Sequence, residues 1–305
     1  MSYAWLARLE RILMDYQNNE IELLRKKALS SLIITIILGI IFVFGMFSFM
    51  PIIWFVLFAL MGGDLFVFSK KINAYKNQVK GTIVSDLLKK EFDEVSYHTN
   101  EGFSREFIAD TELVSMGNIY SSNDLVSGNY RNVAFKQADV HIQQHTQSGK
   151  TSTTVTLFKG RWLIYTFNKR FTGFLQIRSN ENRLFGNSKP MRWFNDKQNT
   201  SRIKLENEAF NERFNIYASD EHEAYYILTP HFMEKLLRLD DSLDGNLVVG
   251  FIDNEVHLAL YNNSDAFEPS IFRPIDDKYY QEVQNDIELI KMIVDDLTLD
   301  IDLYK

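Results

Sequence analysis

The 305-residue chain contains no cysteine. This excludes disulfides, thiolate zinc sites, iron–sulfur clusters and cysteine nucleophiles together. Proline is scarce, at five, and the 14 glycines form no tract, so neither a stiff Pro-rich spacer nor a long disordered linker is expected. Phosphate-binding glycine loops and a Gly-x-Ser-x-Gly nucleophile elbow are also missing, which removes the usual sequence signatures of nucleotide binding and serine hydrolysis. The first apolar run begins near Ala28, behind a polar segment, and no small-residue cleavage site follows it. A cleavable leader is therefore not expected.

Charge is absent from one long stretch. Residues 29–49 hold 21 positions without an ionisable group, and residues 52–68, after Pro51, contain a single one, Asp64. At about 1.5 Å per residue the first run spans about 30 Å, the thickness of a bilayer's hydrocarbon. Lipid offers no water to backbone groups, so each crossing must be helical. Arg25, Lys26 and Lys27 precede the pair; Lys70, Lys71, Lys76 and Lys80 follow it; the turn carries no basic residue. The positive-inside rule then places both flanks in the cytosol. A two-pass protein of the plasma membrane with both termini cytosolic is the expectation, with the lipid bilayer as first partner. Asp64 is the one intramembrane acidic candidate, and its neighbours Gly62 and Gly63 suggest a close helix-packing site.

Beyond the runs, Trp5, Leu9, Ile12 and Tyr16 recur at helical spacing, as do Ile72, Tyr75 and Val79. From about Phe103 the pattern becomes strand-like. Residues 133–145, 151–158, 161–167 and 174–178 read as strands, with turns at 147–150 and at Lys159-Gly160. Residues 214–217 and 224–228 read as further strands. Thr229-Pro230 opens a helix through Leu239, residues 247–252 and 256–261 suggest a hairpin about Asp253-Asn254, and 276–299 read as a closing acidic helix.

The fold class expected is α+β: a two-helix transmembrane hairpin with a helical stalk, plus a soluble, mainly antiparallel β domain with flanking helices. The segments are a cytosolic amphipathic helix (1–27), the hairpin (28–69), the stalk (70–100) and the soluble domain (101–305).

Several phrases, LFKGRWLIYTFNKRFTG from Leu157, LENEAFNERFNIYASDEHEAYYILTPHFMEKLL from Leu205 and LVVGFIDNEVHLALYNNSDAFEPSIF from Leu247, resemble an uncharacterised bacterial membrane-protein family, domain of unknown function 3137. The resemblance implies a membrane hairpin followed by this domain. It implies no reaction, substrate or catalytic residue.

Chemistry is sparse. His141 and His145 share a strand face about 13 Å apart, too far for one metal, and no cofactor is expected. Acidic clusters such as Asp220, Glu221 and Glu223 read as solvated turns. Charge is unevenly spread: residues 130–213 carry 15 Lys and Arg against 6 Asp and Glu, while 214–305 carry 6 against 20. Basic residues beside aromatics (Lys159, Arg161 and Trp162; Lys169 and Arg170; Arg192 and Trp193) form the candidate lipid-facing set, suited to anionic headgroups; the alternative is that the aromatics are core residues. The acidic balance argues against nucleic acid. The leading expectation is a non-enzymatic, membrane-anchored binding or scaffold module with an unidentified protein partner. The rival is a membrane-associated hydrolase with an unrecognised polar site.

Overall fold

A computed structural model describes residues 2–45, 51–180, 200–297 and 299. The chain forms two compact units: Met1–Asp86 with Phe267–Gln284, and Leu87–Ala266 with Asn285–Lys305.

In the first unit, α1 (Ser2–Gly45) and α2 (Pro51–Val79) are long uninterrupted helices. No glycine, proline or cap separates the predicted N-terminal helix from the apolar run, and none separates the run from the stalk. The segments expected to be distinct are therefore continuous. The pair is antiparallel: Thr35 meets Asp64, and the rings of Phe42 and Phe58 lie 6.5 Å apart. On α1 the inward positions Ile21, Ala28, Ser31, Thr35 and Phe42 recur at three-, four- and seven-residue intervals. That near-heptad spacing keeps one side of α1 against its partner as a continuous seam. A π-helical turn (Lys80–Val84) then leads into α3 (Ser85–Glu91).

The second unit is a mixed helix and antiparallel-sheet fold. Its elements are β1 (Asp93–His98), α4 (Arg105–Asp110), β2 (Ile119–Tyr130), β3 (Val133–Ser148), β4 (Thr151–Ser179), β5 (Ser201–Ile203), α5 (Glu208–Arg213), β6 (Phe214–Ala218), α6 (Glu221–Ile227), α7 (Pro230–Ser242) and β7 (Asn246–Tyr261). The final helix, α8 (Asp277–Leu297), belongs to the first unit up to Gln284 and to the second from Asn285. All strand pairings are antiparallel, in the order β1-β2-β3-β4-β6-β5, with β7 also on β4.

β4 organises this sheet. It runs for 29 residues, pairing its first half with β3 and its second with β6, while β7 follows its other edge. The sequence reading broke it at Lys159-Gly160. The structure keeps Gly160 in the strand, because a Cβ there would come within 2.0 Å of Leu260 O on β7. Asp253-Asn254 likewise marks an irregularity inside one strand, with Asp253 in the left-handed region and paired to Phe171, not a hairpin turn. Gly149 supplies the true turn between β3 and β4.

Two further readings are corrected. Residues 224–228 fall in helix α6 and at its end, because the Asp220 side chain accepts from the backbone N–H of His222 and Glu223 and caps a helix. Residues 93–98, expected in the helical stalk, form β1 on β2. The Thr229-Pro230 start is as read: Thr229 accepts from Phe232 N and Pro230 is the first helical residue.

Alternation along β3 and β4 separates two buried faces. Ala138, Val140, Ile142, Phe158, Trp162 and Ile164 pack with Phe103, Ile108, Leu113 and Val114 from the α4 segment. On the opposite face, Tyr165 Oη donates to Ile290 O of α8 at 3.1 Å, and Phe135 lies against Phe92. At the bend of β4, Glu223 accepts from Thr172 Oγ1 at 2.5 Å and Gly173 N at 2.9 Å. Glu223→Ala leaves that turn without its acceptor. We expect a loss of about 1–3 kcal/mol, visible as a lower urea midpoint, whereas an unchanged midpoint would mean the clamp is idle.

Candidate functional site: the helical hairpin and its strap

The outward surface of the hairpin is apolar. Ile33, Ile34, Ile36, Ile37, Ile40, Ile41, Val43 and Phe44 on α1 are exposed, as are Val56, Phe58, Leu60, Leu65, Phe66 and Val67 on α2. Helix α1 over Asn18–Phe44 is long and apolar enough to cross a membrane, and little of its apolar stretch is buried. The polar groups point the other way. Thr35 Oγ1 donates to Asp64 Oδ2 in the seam, and the Ser31 hydroxyl is fully buried with no hydrogen-bond partner among the described residues. A water-soluble protein hides apolar groups and wets polar ones; this hairpin does the reverse.

Asp64 is thus placed by helix phase. It lies six residues from Lys70, about 9 Å along the axis, deeper than the charged collar. Gly62 and Gly63 are not a packing site: a Cβ on either would meet nothing within 4 Å. The helices do not approach there, because both glycines lie on the exposed side.

Below the apolar belt, residues 267–273 form a strap across both helices. Tyr75 Oη donates to Ser270 O at 3.1 Å, and Arg25 Nη1 donates to Ile271 O at 3.1 Å. Arg25 is itself held by a two-point contact with Glu22. Burial pushes the Tyr75 phenol up to about 12. Glu268 pairs with Lys76 and, at 2.8 Å, with Lys80. Burial pushes the Glu268 carboxyl up, but the two lysines outweigh it and hold the group below its ordinary value.

A depressed carboxylate contributes stability that is present above its unfolded value and lost as pH falls through the folded one. Hydrogen exchange at 267–273 is therefore expected to accelerate as pH drops below the ordinary carboxylate range, after correction for intrinsic rates. Glu268→Gln should exchange fast at neutral pH and lose the dependence. An unchanged profile in the variant would remove Glu268 from the clamp. The sequence reading missed this strap. Its signal was present as the Phe-Glu-Pro of the family phrase, facing lysines four residues apart, Lys76 on α2 and Lys80 at the start of the π-helical turn.

The sequence-derived lipid-facing set falls in the second unit and is not gathered on one surface. Trp162 is fully buried, its Nε1 donating to His257 Nδ1 at 3.3 Å. Arg161 is 4% exposed and ion-paired to Asp286. These two side chains serve the interior, so the reading of them as lipid-facing is corrected: strand alternation buries one on each face. Lys159 is partly exposed and lies 3.3 Å from Asp265. Lys169 and Arg170 lie in β4, but their side chains fall outside the described residues, as do Arg192 and Trp193 entirely.

Near Arg161 lies a buried polar group. Asp139 Oδ2 accepts from Ala266 N at 2.7 Å, while Asp139 Oδ1 and both amide atoms of Gln137 have no partner among the described residues. Burial, with Asp124 close by, pushes the Asp139 carboxyl well above its ordinary value. An open groove of about 590 Å³ runs along β5 and α5, lined by Arg202, Lys204, Glu208, Asn211 and Glu212. Its polar groups are partly spent on the fold: Arg202 donates to Asn215 and Asn211 to Leu205 O. No group of three His, Asp or Glu suited to a metal occurs among the described residues.

These features define a helical hairpin with an inverted polarity, attached to an antiparallel α+β unit. Residues 156–299, from β4 to just past α8, match the family described as "Protein of unknown function (DUF3137)". It is the family that the quoted phrases resemble. Among solved structures, the "crystal structure of the mycobacterial trehalose monomycolate transport factor A, TtfA" aligns with a TM-score of 0.39 at 10% identity, over 72% of this chain and 96% of that chain. No curated protein matches.

Proposed function

We propose that the chain is a two-pass membrane protein whose α1–α2 hairpin crosses the cell membrane at 29–49 and 52–68, with both flanks cytosolic, and whose α+β unit serves there as a binding or scaffold module. The single observation that carries this is the inverted polarity of the hairpin: exposed isoleucines and phenylalanines outside, Ser31, Thr35 and Asp64 inside. Two helices with satisfied backbones and an apolar exterior are what a bilayer accepts. The basic residues at 25–27 and 70–71 support the orientation. For the module, as against a hydrolase, the support is that the groove on β5 and α5 is open and that its arginine and asparagine bond to the fold.

The absence of cysteine makes the topology test clean. Lys26→Cys and Asn73→Cys, both at exposed positions and made one at a time in the full chain, should resist an impermeant maleimide in intact cells and react in inverted vesicles. Labelling from outside would overturn the orientation.

A further inference from the structure

The strap places an aromatic ring at a particular height on the hairpin. Ile271 is 5% exposed and its carbonyl is held by Arg25; the next residue, Phe272, is 73% exposed. Nothing in the packing explains a phenylalanine so open beside an isoleucine so closed. Arg25 precedes Leu29, the first residue of the uncharged run, by four positions, about 6 Å along the axis. The headgroup layer on each side of the hydrocarbon is about 5–7 Å thick. Phe272 therefore sits at headgroup level if the hairpin crosses the bilayer.

The charges around that level are unevenly satisfied. Arg25 is paired with Glu22, Lys76 and Lys80 with Glu268, and Arg273 with Glu282. Lys26 lies 3.7 Å from Glu22. Lys27, Lys70 and Lys71 have no acidic partner among the described residues, and Lys27 and Lys70 are exposed. Three ammonium groups without an acidic partner, that of Lys70 lying over the Phe66 ring, thus fall within five residues of Arg25 or Tyr75, the two side chains that hold the strap carrying the open ring. Lysine stems lie along apolar surface while their heads reach phosphate, and a ring at this depth contributes apolar contact.

We propose that this collar and strap form a headgroup site for anionic phospholipid, in which Lys27, Lys70 and Lys71 hold the phosphate-bearing headgroups and Phe272 inserts its ring among them. The inference rests on the membrane reading above and adds a lipid class and the residues that select it. It also gives the C-terminal part of the family segment a membrane contact of its own. Loosening the strap at Glu268 or Tyr75 would then withdraw the ring from the headgroups.

The test uses the full chain carrying Phe272→Cys, spin-labelled, in vesicles of phosphatidylcholine alone or with phosphatidylglycerol added. Phe272 is exposed, so the substitution removes no packing. Phe58→Cys, on the apolar belt, serves as reference for insertion. Collisions with oxygen and with a water-soluble nickel chelate report depth. The proposal expects position 58 to be chelate-protected in both vesicles. At position 272, chelate accessibility should fall severalfold when phosphatidylglycerol is present and recover on raising salt or in the Lys27→Gln, Lys70→Gln, Lys71→Gln variant. If position 58 is protected but position 272 stays chelate-accessible and indifferent to phosphatidylglycerol, the headgroup site is overturned while the hairpin stands. If position 58 is itself open to the chelate, the membrane reading fails and takes this inference with it.

Discussion

Trp162→Ala is expected to cost about 3–5 kcal/mol of stability and to leave vesicle binding by the folded fraction unchanged. The indole is fully buried, meets Phe158 edge-on at 6.0 Å and donates to His257 Nδ1. The other ring nitrogen of His257 lies 3.4 Å from Glu255, and that contact holds the Glu255 carboxyl below its ordinary value. Removing the indole leaves a cavity between the sheet face and the α4 segment and takes the donor from the imidazole. Trp162→Phe separates the two effects: most of the volume stays, and the unsatisfied ring nitrogen costs about 1–3 kcal/mol. The readout is a urea titration of the full chain in detergent, followed by circular dichroism. A midpoint for Trp162→Ala equal to that of the parent would mean that the ring is not in the core.

Ile37→Arg should produce the second large effect, and in a direction that separates two accounts of the hairpin. Ile37 is 49% exposed and lies near the middle of the first run. An arginine at the centre of a membrane helix costs about 2.5–3.5 kcal/mol of insertion free energy. The variant should therefore show a reduced membrane-inserted fraction and faster turnover. On a hairpin that stood in water, the same change would replace an exposed isoleucine with a charge and would be neutral or improve solubility. An inserted fraction equal to the parent's counts against lipid contact at this position.

What the sequence revealed and what it concealed follow from range. Helices are local, so the uncharged runs, the Thr229-Pro230 start and the closing acidic helix could be read from spacing alone. The α+β class was equally legible from β-branched runs. Errors arose where a partner distant in sequence decides. Lys159-Gly160 looks like a turn until Leu260 is found across from it. Asp253-Asn254 looks like a hairpin until β7 is seen to follow the bend of β4. Ala224 to Leu228 reads as a strand by local propensity, which the Asp220 cap, a single side chain, outweighs.

The site divides in the same way. The apolar run was plain, but which of its residues face each other depends on helix phase against a second helix. That phase put Asp64 against Thr35 and left Gly62 and Gly63 facing outward. Basic and aromatic neighbours in sequence suggested a lipid surface. In a strand, adjacent residues point to opposite faces, so Arg161 and Trp162 could never have shared one. The strap was hidden for the opposite reason: Glu268 lies far along the chain from Lys76 and Lys80, with the whole sheet between them in sequence.

Membrane preparations of cells producing the full chain, washed in alkaline carbonate and sedimented at high speed, test the hairpin most directly. Peripheral proteins leave the pellet under this treatment, while helices buried in hydrocarbon stay with it. The inverted polarity of α1 and α2 predicts that the chain remains in the pellet and is released only by detergent. Recovery in the carbonate supernatant would contradict the account.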